Sequence, residues 1–356
     1  MTIAYLFERF PSPTETFLAR EVAALRQRNV SIEVYALDAG DGAQKIETPS
    51  PALKLGGKAK FFRVAGEKLG LQLQKRGVSH VHATWANHIA DIAQHAAQSA
   101  GITWSFAAHA RDLWVDGSDF SQKMKSAQFA FACTRAGESE LQKHGENVLY
   151  VPHGLPLDNF PFETWEKERE TRIIGVGRLV EKKGWMDLIA ALGICQRLDN
   201  RGHTFRAQII GDGPLRPLLQ KQIGALGLQD SVVLRGALKA EEVVAAMQEA
   251  NCFVLPSRRA ADGDRDGLAN VLLEAGALGL PLVTSDNDGA RDFADESTAF
   301  LFPSADASAL AGAINRVRTS PALTAERCCA ARKRIEQHFD IAKNAGIVER
   351  AFASLI

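Results

Sequence analysis

Two acidic side chains eight positions apart, Asp266 and Glu274, mark the part of the sequence with the clearest capacity for chemistry. Asp266 precedes a Gly-Leu turn, and Glu274 lies in the apolar run that follows. The run predicts a helix starting near Ala269, and the first turn of a helix offers unpaired N–H groups and a positive dipole end to phosphate. Both carboxylates can accept hydrogen bonds from hydroxyl groups. Segment 255–292 therefore predicts a site for a phosphorylated, hydroxyl-rich ligand.

A second group of candidates, Gly177, Arg178 and Lys183, follows the strand predicted at 172–176. Glycine lets the backbone turn sharply at the carboxyl end of a strand, where open α/β sheets bind ligands. Positive charge there can stabilise a departing diphosphate without a metal ion. Two solvated loop charges are the ordinary alternative. The acidic block in the same half of the chain favours the binding site.

Together these segments resemble the signature of retaining family-4 glycosyltransferases. The family's Glu-x7-Glu is present here as Asp266-x7-Glu274, and its Gly-Arg-Leu-x-x-x-Lys-Gly fits residues 177–184 without gaps. The resemblance implies that Arg178 and Lys183 grip the donor diphosphate and that Glu274 holds the ribose. Further donor contacts are implied at Gly177, Gly213, Arg235, Gly267, Leu268, Ala269 and Asn270.

Two histidine-bearing segments of the first half lie on predicted strands. His109 ends one strand with Asp112 within a turn, which makes a polar site with a tunable pKa. The segment resembles Phe-Thr-Ala-His-Ala-x-Asp of a family-4 subgroup that builds bacterial exopolysaccharide. That resemblance implies that His109, with Asp266, contacts the donor sugar and that Asp112 shapes the acceptor side. His82 is a further acceptor-side candidate; a core histidine bonded to a backbone carbonyl is the alternative for it and, more strongly, for His80.

The loop after the first predicted strand contributes Glu15 and Thr16. They begin a predicted helix that Ser12 or Thr14 could cap. The loop resembles Pro-x-x-Ser-Glu-Thr-Phe-Ile of the same subgroup, which implies that both residues line the acceptor mouth. An ordinary helix start with glutamate in its first turn explains them almost as well.

Short apolar runs alternate with helical patterns along the chain, which predicts an α/β fold with mainly parallel strands. Since 356 residues exceed what one core usually serves, we expect two domains. The resemblance implies the GT-B architecture, two Rossmann-like domains facing across a cleft. The predicted parts are an acceptor-binding domain at 1–155, a linker at 156–171, a nucleotide-sugar-binding domain at 172–335, and a helical segment at 336–356 that could cross back to the first domain.

The charge balance and the cysteine pattern limit the partners and metal sites that the sequence supports. The 42 basic residues balance 42 acidic ones, so no global charge points to nucleic acid. The five cysteines form no Cys-x-x-Cys pair, which predicts reduced structural thiols rather than a metal site. Asp262-Gly-Asp264 superficially resembles a metal site, but Arg258, Arg259 and Arg265 would repel a divalent cation. We therefore expect no metal and no cofactor, and interpret both acids as loop residues.

The N-terminus lacks a basic region and reaches Glu8 too soon for a signal peptide. No apolar run approaches the roughly 20 residues of a membrane span. These features predict a cytoplasmic protein. The basic segment 54–76 has apolar residues at helical spacing and could dock on anionic lipid at the inner membrane face, near a lipid-linked acceptor. A solvated basic face over a buried stripe is the commoner alternative.

The expected activity is retaining, metal-independent transfer of a sugar from a nucleoside-diphosphate sugar to a saccharide or lipid-linked acceptor in bacterial polysaccharide or glycoconjugate synthesis. Asp266 in place of Glu, and Arg291-Asp292 in place of a segment ending in Glu, leave the donor sugar open. The alternatives are a non-catalytic two-domain protein that binds a nucleotide or sugar, and a sugar-nucleotide epimerase of similar architecture. A nicotinamide or flavin enzyme is disfavoured because no segment carries Gly-x-Gly-x-x-Gly after a strand.

Overall fold

The computed structural model describes residues 1–12, 14–49, 57–166, 170–198 and 204–355. The chain divides into two compact units: unit 1 is Met1–Gly154 with Ile341–Ile356, and unit 2 is Leu155–Asp340. Each unit contains one parallel sheet with helices, as the α/β prediction requires. Among the described residues, no helix combines the length and the apolar character that crossing a bilayer requires.

Unit 1 is built on a sheet of parallel strands with intervening helices. Its strands are β1 (Thr2–Phe10), β2 (Ser31–Ala39), β3 (Gln44–Lys45), β4 (His80–Ala83), β5 (Thr103–Ala108), β6 (Ala130–Ala132) and β7 (Val148–Tyr150). Its helices are α1 (Thr16–Gln27), α2 (Lys58–Lys75), α3 (His88–Ala100), α4 (Ala110–Trp114), α5 (Phe120–Met124), α6 (Arg135–Gln142) and the C-terminal α14 (Ile341–Ala353). The strand order is β3-β2-β1-β4-β5-β6-β7, so the order reverses between β1 and β4.

Both faces of this sheet are covered, as is usual for parallel sheets. Successive side chains of a strand point to opposite faces. Ala4 and Leu6 of β1 pack in the cluster that α2 and α3 cover. Tyr5 and Phe7 pack in the other cluster, with α1 and with Phe352 of α14. The C-terminal helix therefore completes the core of unit 1.

Unit 2 repeats the same plan. Its strands are β8 (Thr171–Val176), β9 (Phe205–Ile210), β10 (Val232–Gly236), β11 (Cys252–Leu255), β12 (Leu282–Asp286) and β13 (Phe300–Pro303). Its α-helices are α7 (Trp185–Leu198), α8 (Arg216–Ala225), α9 (Ala240–Gln248), α10 (Asn270–Leu278), α11 (Asp288–Arg291), α12 (Ala307–Thr319) and α13 (Pro321–His338), with 3-10 turns at Leu157–Asn159 and Glu181–Lys183. The order β10-β9-β8-β11-β12-β13 reverses between β8 and β11. Ligands of open α/β sheets bind beyond the carboxyl ends of the strands at such a reversal.

The predicted linker, 156–171, lies within unit 2, and its residues 167–169 fall outside the described residues. The predicted helical segment from residue 336 joins unit 1 only from Ile341 onward. The strand β13 was not predicted from the sequence.

Candidate functional site

Lys183 is positioned by the 3-10 turn that follows β8. Gly184 closes the turn with φ 68°, in the left-handed region that favours glycine. A Cβ at Gly184 would lie 1.9 Å from the carbonyl oxygen of Pro256, so no larger residue fits. The β8 loop is therefore in close contact with the β11 loop, at the point where the strand order of unit 2 reverses.

A buried ion pair joins the two motifs found in the sequence. Nζ of Lys183 donates to Oδ2 of Asp266 at 2.8 Å, and the two side chains are 13% and 9% exposed. Oγ of Ser257 donates to the same oxygen, and Nζ of Lys182 lies 3.8 Å from Oδ1. Burial by itself would raise the pKa of Asp266, but the charges of the two lysines outweigh it and lower the pKa below its ordinary value. Asp266 is thus an ionised anchor for Lys183.

The neighbouring Lys182 has a different partner. Its Nζ lies 3.0 Å from Oδ1 of Asp264, and both side chains are nearly buried. Asp264 is thus a loop residue, as predicted, and its carboxylate is drawn inward by the lysine. Asp262 is exposed as expected, and its Oδ1 accepts a hydrogen bond from the backbone N–H of Asp264 at 3.0 Å.

Arg178 supplies the second cation of this loop. Its carbonyl oxygen accepts a hydrogen bond of 2.9 Å from Nε1 of the buried Trp185, which fixes the backbone. Its side chain is exposed, and within the described part of the chain no acidic group pairs with it. An anchored backbone with an exposed guanidinium group suits the binding of an anionic ligand.

Three glycines let the β8 and β9 loops meet. A Cβ at Gly211 would lie 2.1 Å from the carbonyl oxygen of Gly177, and one at Gly213 would lie 2.6 Å from that of Leu179. The N–H of Leu179 donates to the carbonyl oxygen of Asp212 at 2.9 Å. Close backbone approach therefore explains glycine at position 211 and at the candidate donor position 213, whereas a Cβ at Gly177 would lie 3.2 Å from Cε of Lys183.

The helix α10 begins at Asn270, close to the predicted start, with Ala269 as its N-cap residue. The side chain of Ala269, a methyl group, makes no cap hydrogen bond to the first turn of this helix. Glu274 lies one turn further along the helix and is 7% exposed. The helix end and the carboxylate are thus brought to the β11 loop that also holds Asp266.

The remaining donor candidates occupy different surroundings. Gly267 packs against α11, where a Cβ at Gly289 would lie 2.2 Å from its carbonyl oxygen. Leu268 is buried in the core of unit 2. Arg235 is exposed on the edge strand β10, and its NH1 donates to Oε1 of Gln208 at 3.3 Å. The structure therefore places the guanidinium of Arg235 on β9 rather than on the β8 and β11 loops.

In unit 1, His109 immediately follows β5. Its Nε2 lies 3.1 Å from the carbonyl oxygen of Thr84; since a carbonyl only accepts, Nε2 carries the proton and Nδ1 presents its lone pair. Burial lowers the pKa of His109 to about 4, although the bond to Thr84 raises it. The ring is therefore neutral at pH 7.

Asp112 holds the start of α4. Its Oδ2 accepts a hydrogen bond of 2.9 Å from the backbone N–H of His109, and its side chain is fully buried. Burial raises the pKa of this carboxyl to about 7, against the lowering effect of the backbone hydrogen bonds. Asp112 therefore holds the backbone of His109 in place at the start of α4.

His82 and His80 form a buried polar chain. Nδ1 of His82 and Nε2 of His80 each lie 2.8 Å from Oγ of Ser105, and Nδ1 of His80 lies 2.8 Å from Oγ1 of Thr103. Burial lowers the pKa of both histidines, that of His80 to about 3. His80 is a core histidine bonded to hydroxyl groups rather than to the backbone carbonyl we expected, and the acceptor-side candidate His82 is buried beside it.

His82 and His109 also line a small cavity of about 20 Å³ inside unit 1. Side chains from several elements complete its wall: Phe17, Glu21, Cys133 and His153. Sequence reasoning did not single out Cys133 or His153. The available signal was their position, one just after β6 and the other just after β7.

Glu15 and Thr16 stand two residues and one residue, respectively, before the cavity-lining Phe17, and both are half-buried. Glu15 itself is the N-cap residue of α1, without a side-chain cap. The prediction that Ser12 or Thr14 caps this helix is wrong, since their hydroxyl groups lie 3.4 Å from each other instead.

Residues 158–335, which are half of the chain, match the family model described as glycosyl transferases group 1. The chain belongs to the group 1 glycosyl transferases. It is 38% identical over 184 residues to the amylovoran biosynthesis glycosyltransferase AmsK of Erwinia amylovora, a match that spans 50% of this chain and 44% of that protein. It is 25% identical over 413 residues to the putative colanic acid biosynthesis glycosyltransferase WcaL of Escherichia coli strain K12, spanning 100% and 99%.

Solved structures confirm the fold of this glycosyl transferase. The crystal structure of Anabaena HepE in complex with UDP and glucose superposes with a TM-score of 0.78 at 17% identity, over 99% of this chain and 100% of that one. The two parallel-sheet α/β units are thus those of the GT-B fold. The predicted resemblance to the exopolysaccharide subgroup is confirmed by AmsK and WcaL.

Proposed function

We propose that this glycosyl transferase moves a sugar from a nucleoside-diphosphate donor to a saccharide or lipid-linked acceptor, with retention and without a metal ion. The observation that carries the proposal is the buried pair of Lys183 and Asp266, four residues before the start of α10, where the strand order reverses. HepE, a structural neighbour, was crystallised with UDP and glucose. AmsK and WcaL are named for amylovoran and colanic acid synthesis, which supports a role in bacterial polysaccharide or glycoconjugate synthesis.

The diphosphate leaving group is the part of the donor that most needs stabilisation during transfer. As the glycosidic bond breaks, negative charge grows on the diphosphate, and preorganised cations and N–H groups lower the barrier. An ammonium group has three donors, and Lys183 gives one to Asp266, which leaves two for phosphate oxygens. The guanidinium of Arg178 and the first turn of α10 supply the rest. This set of groups gives a reason to expect transfer without a metal ion.

The other donor contacts use the neutral or anionic groups. Glu274 accepts from the ribose hydroxyls, and Asp266 orients Lys183 as well as the sugar. In unit 1, His109 is neutral at pH 7 and offers Nδ1 as an acceptor for a sugar hydroxyl. Retention follows if the acceptor attacks from the face of the leaving group and a phosphate oxygen takes its proton.

Peripheral membrane contact is proposed for α2, in a protein of the cytoplasm. Two basic side chains of the segment 54–76 form salt bridges: Arg63 lies 3.7 Å from Glu67, and Arg76 lies 2.7 Å from Glu33. Four lysines of α2 remain exposed, namely Lys58, Lys60, Lys68 and Lys75. Lys68 and Lys75 lie within about one helical turn of Leu71, which is itself 55% exposed. Residues 54–56 of the predicted basic segment lie outside the described residues. Exposed lysines beside an exposed apolar side chain suit anionic lipid.

Two measurements on one preparation test the function. A thermal-shift panel of UDP- and GDP-sugars shows which donor binds, because a ligand of the native state raises the melting temperature. Release of the nucleoside diphosphate is then followed with and without candidate acceptors. A transferase releases nucleotide faster when an acceptor is present. Binding without any turnover would instead support a sensor protein, and conversion of the donor without an acceptor would support an epimerase.

A further inference from the structure

Three metal-type ligands lie at the carboxyl edge of the unit 1 sheet. His109 follows β5, Cys133 follows β6, and His153 follows β7 by three residues. These strands are direct neighbours in the sheet, so the residues that follow them are brought side by side. The sequence separates them by 20 or more positions, which is why a search for closely spaced ligands did not find them.

We propose that His109, Cys133 and His153 form a binding site for one divalent cation of zinc type. One ligand atom from each residue lies within 4.8 Å of the other two. Nδ1 of His109 is 3.6 Å from Sγ of Cys133. Around tetrahedral zinc, nitrogen at about 2.0–2.1 Å and sulfur at about 2.3 Å stand roughly 3.5 Å apart. The spacing of this pair therefore already matches a metal-bound geometry.

The tautomer of His109 is the one that a metal requires. Nε2 donates to the carbonyl oxygen of Thr84, which leaves the lone pair of Nδ1 on the side of Cys133. Metal-binding histidines usually donate their other N–H to a carbonyl or carboxylate in this way. The ring of His153 stacks on Phe17, with centroids 4.1 Å apart and planes at 23°, which restricts its orientation.

The cavity between these residues matches one ion. Its volume of about 20 Å³ exceeds the roughly 10–15 Å³ that one water-sized sphere needs. Two imidazoles and a thiolate form a donor set that favours zinc or copper over magnesium or calcium. Glu21 lines the same cavity and can supply negative charge beside the cation. Three protein ligands leave a fourth position for water or an external ligand.

This site shares Nδ1 of His109 with the proposed contact to the donor sugar, so its test measures metal binding directly rather than sugar transfer. The full-length chain, stripped of metal with a chelator, is titrated with Co²⁺ as a spectroscopic substitute for zinc. We expect one equivalent to bind with a thiolate-to-cobalt charge-transfer absorption. Cys133→Ser should abolish that absorption, whereas Cys329→Ser, at an exposed cysteine of unit 2, should leave it intact.

The histidine ligand gives a second test. His153→Gln should weaken Co²⁺ binding by about tenfold or more, which is the scale seen for groups that merely support metal ligands. Circular dichroism of each variant shows whether it is folded. Absence of the charge-transfer absorption in the wild type, or its persistence in folded Cys133→Ser, would overturn the proposal. Unchanged Co²⁺ affinity in folded His153→Gln would overturn the role of that residue as a ligand.

Discussion

Lys183 and Lys182 are adjacent in sequence, but we propose a catalytic role for Lys183 and a structural role for Lys182. Lys183→Ala removes a cation that stabilises the leaving diphosphate. Loss of one preorganised donor to developing charge costs about 10²–10³ in kcat, or roughly 2.7–4 kcal/mol. Asp266 keeps Ser257 and the more distant Lys182 as partners in this variant. We therefore expect a large fall in rate and a modest loss of stability.

Lys182→Ala is the matched control. Its ammonium group is nearly buried against Asp264, and removing it leaves that carboxylate without its 3.0 Å partner. Breaking a largely buried pair costs about 3 kcal/mol. In a domain of this size the melting temperature falls by roughly 2–4 °C per kcal/mol, hence by about 6–12 °C. The rate of the protein that stays folded should remain near that of the wild type.

The assay is nucleoside diphosphate release at saturating donor and acceptor, well below the melting temperature of either variant. Each melting curve is recorded on the same preparation. A Lys183→Ala enzyme that transfers sugar at nearly the wild-type rate would refute the role of Lys183. The distinct roles of the two lysines would also be refuted if the transfer rate of folded Lys182→Ala fell as far as that of Lys183→Ala.

Three further outcomes are expected. Glu274→Gln should weaken nucleoside diphosphate binding by about tenfold in calorimetry, since a hydrogen bond to a charged group is worth roughly 1.5–3 kcal/mol; unchanged affinity would remove Glu274 from the ribose site. Chelator treatment should not lower the initial rate, and a strict requirement for manganese would reopen the interpretation of Asp262 and Asp264 as metal ligands. The folded-state pKa of Asp112, about 7, exceeds its unfolded value of about 3.9, so this group favours folding at low pH and loses that contribution as pH rises through 7. Asp112→Asn should therefore gain stability relative to the wild type between pH 5 and pH 8 in urea denaturation, and a constant difference would contradict the shifted pKa.

The sequence predicted the parallel α/β fold because buried strands and helices leave strong periodic patterns. It also predicted the start of α10 to within one residue, since the apolar run begins there. The glycine-bounded loop around Lys183 was found for a similar reason: its residue types are required by local backbone geometry. Features that depend on one segment at a time could thus be predicted from the sequence.

Contacts between distant segments could not be predicted from the sequence. Nothing in the local sequence shows that Asp266 pairs with Lys183, or that Asp264 is drawn inward by Lys182, because each pair joins the loops of two different strands. The neighbourhood of Cys133 and His153 has the same origin, in the order of β6 and β7 within the sheet. Strand order, rather than spacing along the chain, decides which polar groups meet.

A crystal structure of the chain with bound UDP or GDP tests the central claim most directly. The account predicts phosphate oxygens within hydrogen-bond distance of Nζ of Lys183, of the Arg178 guanidinium, and of the first-turn N–H groups of α10, with the ribose at Glu274. A diphosphate bound elsewhere, with the Lys183–Asp266 pair undisturbed and remote from it, would contradict the account.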